Sequence, residues 1–200
     1  ELLREGGTVS LGAFSGYTVF GFDHMVENRP GLYDLQILGN SYLAEGADAR
    51  QGGSSEPALV FVSHDDNGNG LPDDKWYELA GSEYGKTATW SNYTVTYHIT
   101  PQDHTPTPVP NSPVTDDTYI RWTDSEGKEG YLAMNAYHRQ NYWPQWQKGE
   151  QTLTFTGVRL APNTVDKNGD GSYFLQKNYA WGYADNQPND STSSKLDLQW

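Results

Sequence analysis

The alternation of apolar and polar positions predicts strands and almost no helix. Tyr93, Val95, Tyr97 and Ile99 alternate with Thr94, Thr96 and His98, the period of two that a half-buried strand shows. Residues 32–38 do the same, with Tyr33, Leu35 and Ile37 opposed to Asp34 and Gln36. Residues 17–22 combine aromatic and β-branched side chains, so they too are expected as a strand. Residues 58–62 form an unbroken apolar run of strand length and are the candidate for a central strand, with 75–79 as its partner. Shorter runs at 118–122, 130–134, 151–155, 158–161, 173–175 and 196–200 supply further strands. No stretch keeps a helical period over the length of an ordinary helix.

The connections are as informative as the runs. Residues 39–56 hold four glycines and little periodicity, a length at which loops are usually functional or mobile. Residues 100–118 hold five prolines and are expected as a surface excursion, a mobile loop or a spacer. Many short strands with turns between them predict an all-β chain, a jelly-roll-like β-sandwich with long loops, in one domain spanning 1–200. The chain begins at Glu1 and ends at Trp200 inside an expected strand, so a processed or trimmed piece of a larger protein, lacking C-terminal strands, is expected.

Composition refines this picture. Aromatic residues make up 14% of the chain, which excludes the aromatic-poor composition of disordered segments. A net charge of −13 argues against nucleic acid or an anionic membrane surface as partner. There is no cysteine, which excludes disulfides and cysteine-ligated metal sites. No apolar run approaches the length of a membrane-spanning helix.

The most specific local chemistry lies in two glycine-rich acidic stretches. In the first, Asp65, Asn67 and Asn69 stand at alternate positions, Gly70 permits a sharp turn, and Asp73 and Asp74 follow. Calcium takes oxygens from carboxylates, amides and backbone carbonyls, so this spacing suits a cation loop with Leu71 giving its carbonyl. An EF-hand would close on a bidentate Glu where Trp76 stands, so Asp74 or Glu78 must substitute. The second stretch repeats the spacing with Asp166, Asn168 and Asp170, with Tyr173 at the carbonyl position and Asp185 or Asp190 as distant completions. In both, the competing reading is a turn whose side chains cap their own backbone. Bound calcium would act as a brace and link stability to its concentration.

Other chemistry is thin. The five histidines never take a zinc spacing, and there is no nucleophile elbow or phosphate-cradling loop. Glu56 and Glu78 as a glycosidase pair have no sequence support beyond their type. No catalytic residue is therefore assigned. Aromatic residues beside polar ones offer a carbohydrate-binding platform: Arg139, Tyr142, Trp143 and Trp146 in one loop, Trp181 and Tyr183 after the second acidic stretch. The alternative is that these rings pack the ends of the sandwich. Buried Trp143 and Trp181 rings would favour packing; exposed ones would favour binding.

Several motifs occur in a familiar order: Gly16-Tyr17, Gly21-Phe22-Asp23-His24, Leu38-Gly39-Asn40, Ser54-Ser55-Glu56-Pro57, residues 62–74, Trp76-Tyr77-Glu78-Leu79-Ala80-Gly81-Ser82 and Trp181-Gly182-Tyr183-Ala184-Asp185. In these the chain resembles a family of Bacteroidota cell-surface proteins associated with PKD domains. The part from Ser55 to Leu79 also resembles the discoidin or galactose-binding-like jelly roll. The resemblance implies export, lipid anchoring at the outer-membrane surface and a role in nutrient uptake, for carbohydrate or else a corrinoid or protein partner. It supplies no functional residues. The expected function is thus a calcium-braced surface domain that binds or presents a ligand, with a glycan hydrolase and a purely structural module as alternatives.

Overall fold

The structure is a computed structural model that describes residues 7–12, 15–50, 52–147, 149–169 and 173–198. It is all-β. Its strands are β1 (Leu35–Gln36), β2 (Tyr42–Leu43), β3 (Gly53–Ser54), β4 (Phe61–Ser63), β5 (Trp76–Glu78), β6 (Trp90–His98), β7 (Val114–Asp124), β8 (Glu129–Asn135), β9 (Thr152–Arg159), β10 (Thr164–Asp166), β11 (Phe174–Gln176) and β12 (Lys195–Leu196). Only 3-10 turns interrupt them, and among the described residues there is no helix long and apolar enough to cross a membrane. The strands form four antiparallel sheets, ordered β1-β12, β10-β11-β3-β2, β4-β5 and β8-β7-β6-β9. The chain divides into two compact units: Glu1–Lys86 with Pro162–Lys167 and Phe174–Trp200, and Thr87–Ala161 with Asn168–Tyr173.

The second unit is built on the sheet that the sequence displays most clearly. Tyr97 stands opposite Leu153 on β9 and Trp122 on β7, and Val95 opposite Phe155. The intervening Thr94 and Thr96 pair their hydroxyls with Thr156 and Thr154 at 2.8 Å on the other face. Such same-face cross-strand pairs are the unit of sheet stabilisation. The two strands expected at 151–155 and 158–161 are one strand, because Gly157 keeps its ladder position opposite Tyr93. β7 also begins earlier than expected, at Val114, and Ile120 on it is fully buried.

The proline-rich stretch before β7 is not a free loop. Asp117 N–H donates to the Thr107 carbonyl at 3.0 Å, and Val109 N–H to Val114 at 3.1 Å. Asp116, 3% exposed, accepts from Thr107 N–H and Thr118 N–H and pairs with His104 Nε2 at 2.7 Å. Burial pushes this carboxyl up, but the His104 and backbone bonds outweigh it and hold it below the ordinary value. Register breaks on either side of Asp116 in the β7–β8 ladder let it turn inward.

In the first unit, Val60, Leu79 and Leu196 form a small core with Leu35, Ile37, Val62, Ala184 and Leu198 packed on it. The strand expected at 58–62 is displaced to β4, which pairs with β5 in the register Phe61–Glu78, Val62–Tyr77 and Ser63–Trp76, while Ala58 makes an isolated antiparallel bridge with Ala184. Val60 is buried while Phe61 is 44% exposed. The apolar run thus covers one face rather than two, and the strand is not central.

Residues 17–22 form no strand. Tyr17 is 84% exposed, and among the described residues no backbone hydrogen bond ties this segment to a neighbour. Strand propensity without a partner edge leaves an extended segment. The 32–38 alternation yields only β1, where Leu35 pairs with Leu196.

A polar hub organises residues 178–186. Asn186 has no exposed surface. Its carboxamide accepts from Tyr179 N–H at 2.7 Å and donates to the Tyr179 and Gly182 carbonyls at 3.1 and 3.0 Å. Gly182 takes φ +76°, and a Cβ there would lie 2.6 Å from Gly81 Cα, so only glycine fits the crossing.

Candidate metal loop and aromatic surface

The loop between β4 and β5 is shaped by its alternate side chains. Asp65 accepts from Asn69 N–H at 3.1 Å and from Gly70 N–H at 3.0 Å. Asn67 Oδ1 accepts from Asn69 N–H at 2.9 Å, and Asn69 Oδ1 from Leu71 N–H at 2.7 Å. Gly68 and Gly70 both take φ +71°, which lets the backbone wrap round these oxygens. The Asn67 and Asn69 amides donate to Asp73 at 3.1 Å each, and they hold its carboxyl below the ordinary value. Asn67 also reaches Asp74 Oδ1 at 3.3 Å. Asp65, Asn67, Asn69, Asp73 and Asp74 are thus tied into one loop, in the order the spacing predicts.

Three observations bear on a cation. Much of the hydrogen bonding is the self-capping of an Asx turn, which needs no ion. Among the described residues, no three His, Asp or Glu side chains gather into a metal-holding group, so any cation here would need amide and backbone oxygens as well. Against that, the Asp74 Oδ2 atom is buried without a hydrogen-bond partner. A buried carboxylate oxygen left unpaired is unfavourable, and a hard cation is one way to satisfy it. Glu78, the other closing candidate, lies on β5 opposite Phe61, and burial raises its carboxyl above the ordinary value.

The second acidic stretch is described only in part. Asp166 ends β10 opposite Phe174, and Asn168 follows it; Asp170 lies outside the described residues. Tyr173, 41% exposed, precedes β11. Asp185, expected to fold back on this loop, has its Oδ1 committed to Asn40 N–H and Ser41 N–H at 2.8 and 2.7 Å. Lys167 is paired with Asp48.

The aromatic candidates separate by burial. In the second unit, Trp143 is 3% exposed and its indole N–H donates to the Gln147 carbonyl at 3.1 Å. It is an anchor of its loop and offers no face for stacking, contrary to the expected platform. Tyr142 packs edge-on against Tyr119 with ring centres 5.3 Å apart and donates its hydroxyl to the His138 carbonyl. Trp146, on the 3-10 turn Gln145–Gln147, is 84% exposed, and Arg139 is exposed beside the same loop.

In the first unit, Tyr183 is 2% exposed, with φ +69°, and its hydroxyl accepts from Glu83 N–H at 3.0 Å. It too is structural. Trp181, 53% exposed, presents its ring to solvent while its carbonyl accepts from Ser82 N–H. Tyr84, 60% exposed, is two residues beyond Ser82 and has no sequence signal that separates it from the other tyrosines.

No protein-family model matches the chain, and a search of curated proteins gives no match.

Proposed function

We propose that this chain is a calcium-braced, non-catalytic module of an exported surface protein that binds or presents a ligand. The observation that carries the reading is the 65–74 loop: alternate oxygens drawn together by Gly68 and Gly70, with the Asp74 Oδ2 atom buried and unpaired. Asp65, Asn67, Asn69, Asp73 and Asp74 would hold the ion, with the Leu71 carbonyl. Calcium there would fasten β4 to β5 beside the Val60–Leu79 core. Titration calorimetry with calcium, on the wild type and on Asp65→Ala, tests it. Loss of binding in the variant is expected; equal heats in both would place calcium elsewhere.

Carbohydrate is the ligand class that the exposed rings suit best. Trp181 and Trp146 each offer an apolar face of the kind that stacks on sugar rings, with polar neighbours to meet hydroxyls. A glycan panel probed with wild type, Trp181→Ala and Trp146→Ala examines this. Binding lost in one of the variants is expected, and no binding by the wild type to any glycan would end the carbohydrate reading. The export, surface anchoring and nutrient-uptake role belong to the same proposal and rest on the motif resemblance and acidic composition.

A further inference from the structure

The 65–74 loop contains two consecutive Asn–Gly pairs, Asn67-Gly68 and Asn69-Gly70. Glycine leaves its backbone nitrogen unshielded, because it carries no Cβ. Both asparagines are exposed, and nothing lies within 4 Å of where a Cβ would stand on either glycine. The following backbone nitrogen can then attack the side-chain Cγ. It loses its proton to solvent, ammonia leaves, and a cyclic imide forms. Water opens the imide at one carbonyl to give aspartate, or at the other to route the backbone through the side chain as isoaspartate.

The loop's own bonds oppose this. Asn67 has its Oδ1 on Asn69 N–H and its Nδ2 on Asp73 and Asp74. Asn69 has its Oδ1 on Leu71 N–H and its Nδ2 on both oxygens of Asp73. Each carboxamide must leave those partners before its Cγ can meet the next nitrogen. Asp73 holds both amides, so it is the common clasp.

We propose that Asn67 and Asn69 are sites of spontaneous deamidation and that the Asp73 clasp gates the reaction. The inference rests on the loop's hydrogen bonds and goes beyond the calcium reading. Conversion replaces an amide donor facing Asp73 with a carboxylate, or adds a backbone methylene that breaks the alternate spacing. Without a cation either product opens the loop; with calcium bound, the aspartate product adds a ligand and the isoaspartate product still breaks the spacing, so the reaction irreversibly changes what the loop holds.

The test holds the folded chain at mildly alkaline pH with chelator and, in parallel, with calcium, and follows both sites by peptide-mapping mass spectrometry. In chelator, Asp73→Ala is expected to convert about three- to tenfold faster than wild type, the range for losing one ordinary solvent-exposed hydrogen bond. Asp73→Asn, which keeps one acceptor, is expected to fall between them and serves if Asp73→Ala does not fold. Equal rates in wild type and the folded variants, or no conversion in either variant, would overturn the proposal. Faster conversion in the variants with no slowing of wild type by calcium would support the clasp while contradicting the calcium reading.

Discussion

Removing the Asn186 carboxamide should destabilise the first unit more than any surface change. The side chain has no exposed area and makes three bonds to the backbone of residues 179–182. In Asn186→Ala the Tyr179 N–H loses this acceptor, which costs about 1–3 kcal/mol at a buried position. The Tyr179 carbonyl still accepts from Gln187 Nε2 at 2.7 Å, so its loss is smaller. The Gly182 carbonyl is left without this donor, and a small cavity remains, so the total is about 3 kcal/mol. For a chain of this size that corresponds to a fall in Tm of roughly 6–12 °C. Thermal unfolding followed by circular dichroism measures it. A fall below about 2 °C would mean that water or backbone rearrangement satisfies these groups, and the hub would not organise the loop.

Other consequences follow from the same geometry. Trp143→Ala should lose about 3–5 kcal/mol of stability in chemical denaturation; a near-neutral change would show the ring is not an anchor. Gly182→Ala should destabilise by more than the ~1–2 kcal/mol of a left-handed non-glycine residue, because its Cβ also meets Gly81; a loss confined to that range would mean that Gly81 moves aside. The folded Asp116 carboxyl lies below its unfolded value, so its contribution is present above about pH 4 and fades as pH falls through the depressed folded value. Asp116→Asn should flatten that acid-side decline in urea-melt midpoints, and an unchanged pH profile would remove Asp116 as its cause.

How much of this was legible depended on whether a feature was local. The β6 alternation of Tyr93, Val95 and Tyr97 predicts its strand because each residue's face follows from its neighbours. The 65–74 loop is equally local, since Asx side chains act on the backbone two to five residues away. Residues 17–22 have the propensity of a strand, but a strand also needs an edge to pair with, which composition does not reveal. Trp143 and Trp146 look alike in sequence; only the turn at Gln145–Gln147 buries one and exposes the other. Asn186 gives no signal at all, because its partners come from a loop whose path is set by the Gly81–Gly182 crossing and by Ser55, far away in the chain.

The most direct measurement is thermal unfolding of the wild type in calcium and in chelator. A ligand at a hundredfold excess over its dissociation constant stabilises by about 2.7 kcal/mol, which for this length raises Tm by roughly 5–10 °C. That rise is expected in calcium, reversed by chelator and abolished in Asp65→Ala. A Tm that neither calcium nor chelator moves would leave the 65–74 loop a self-capped turn and contradict the brace.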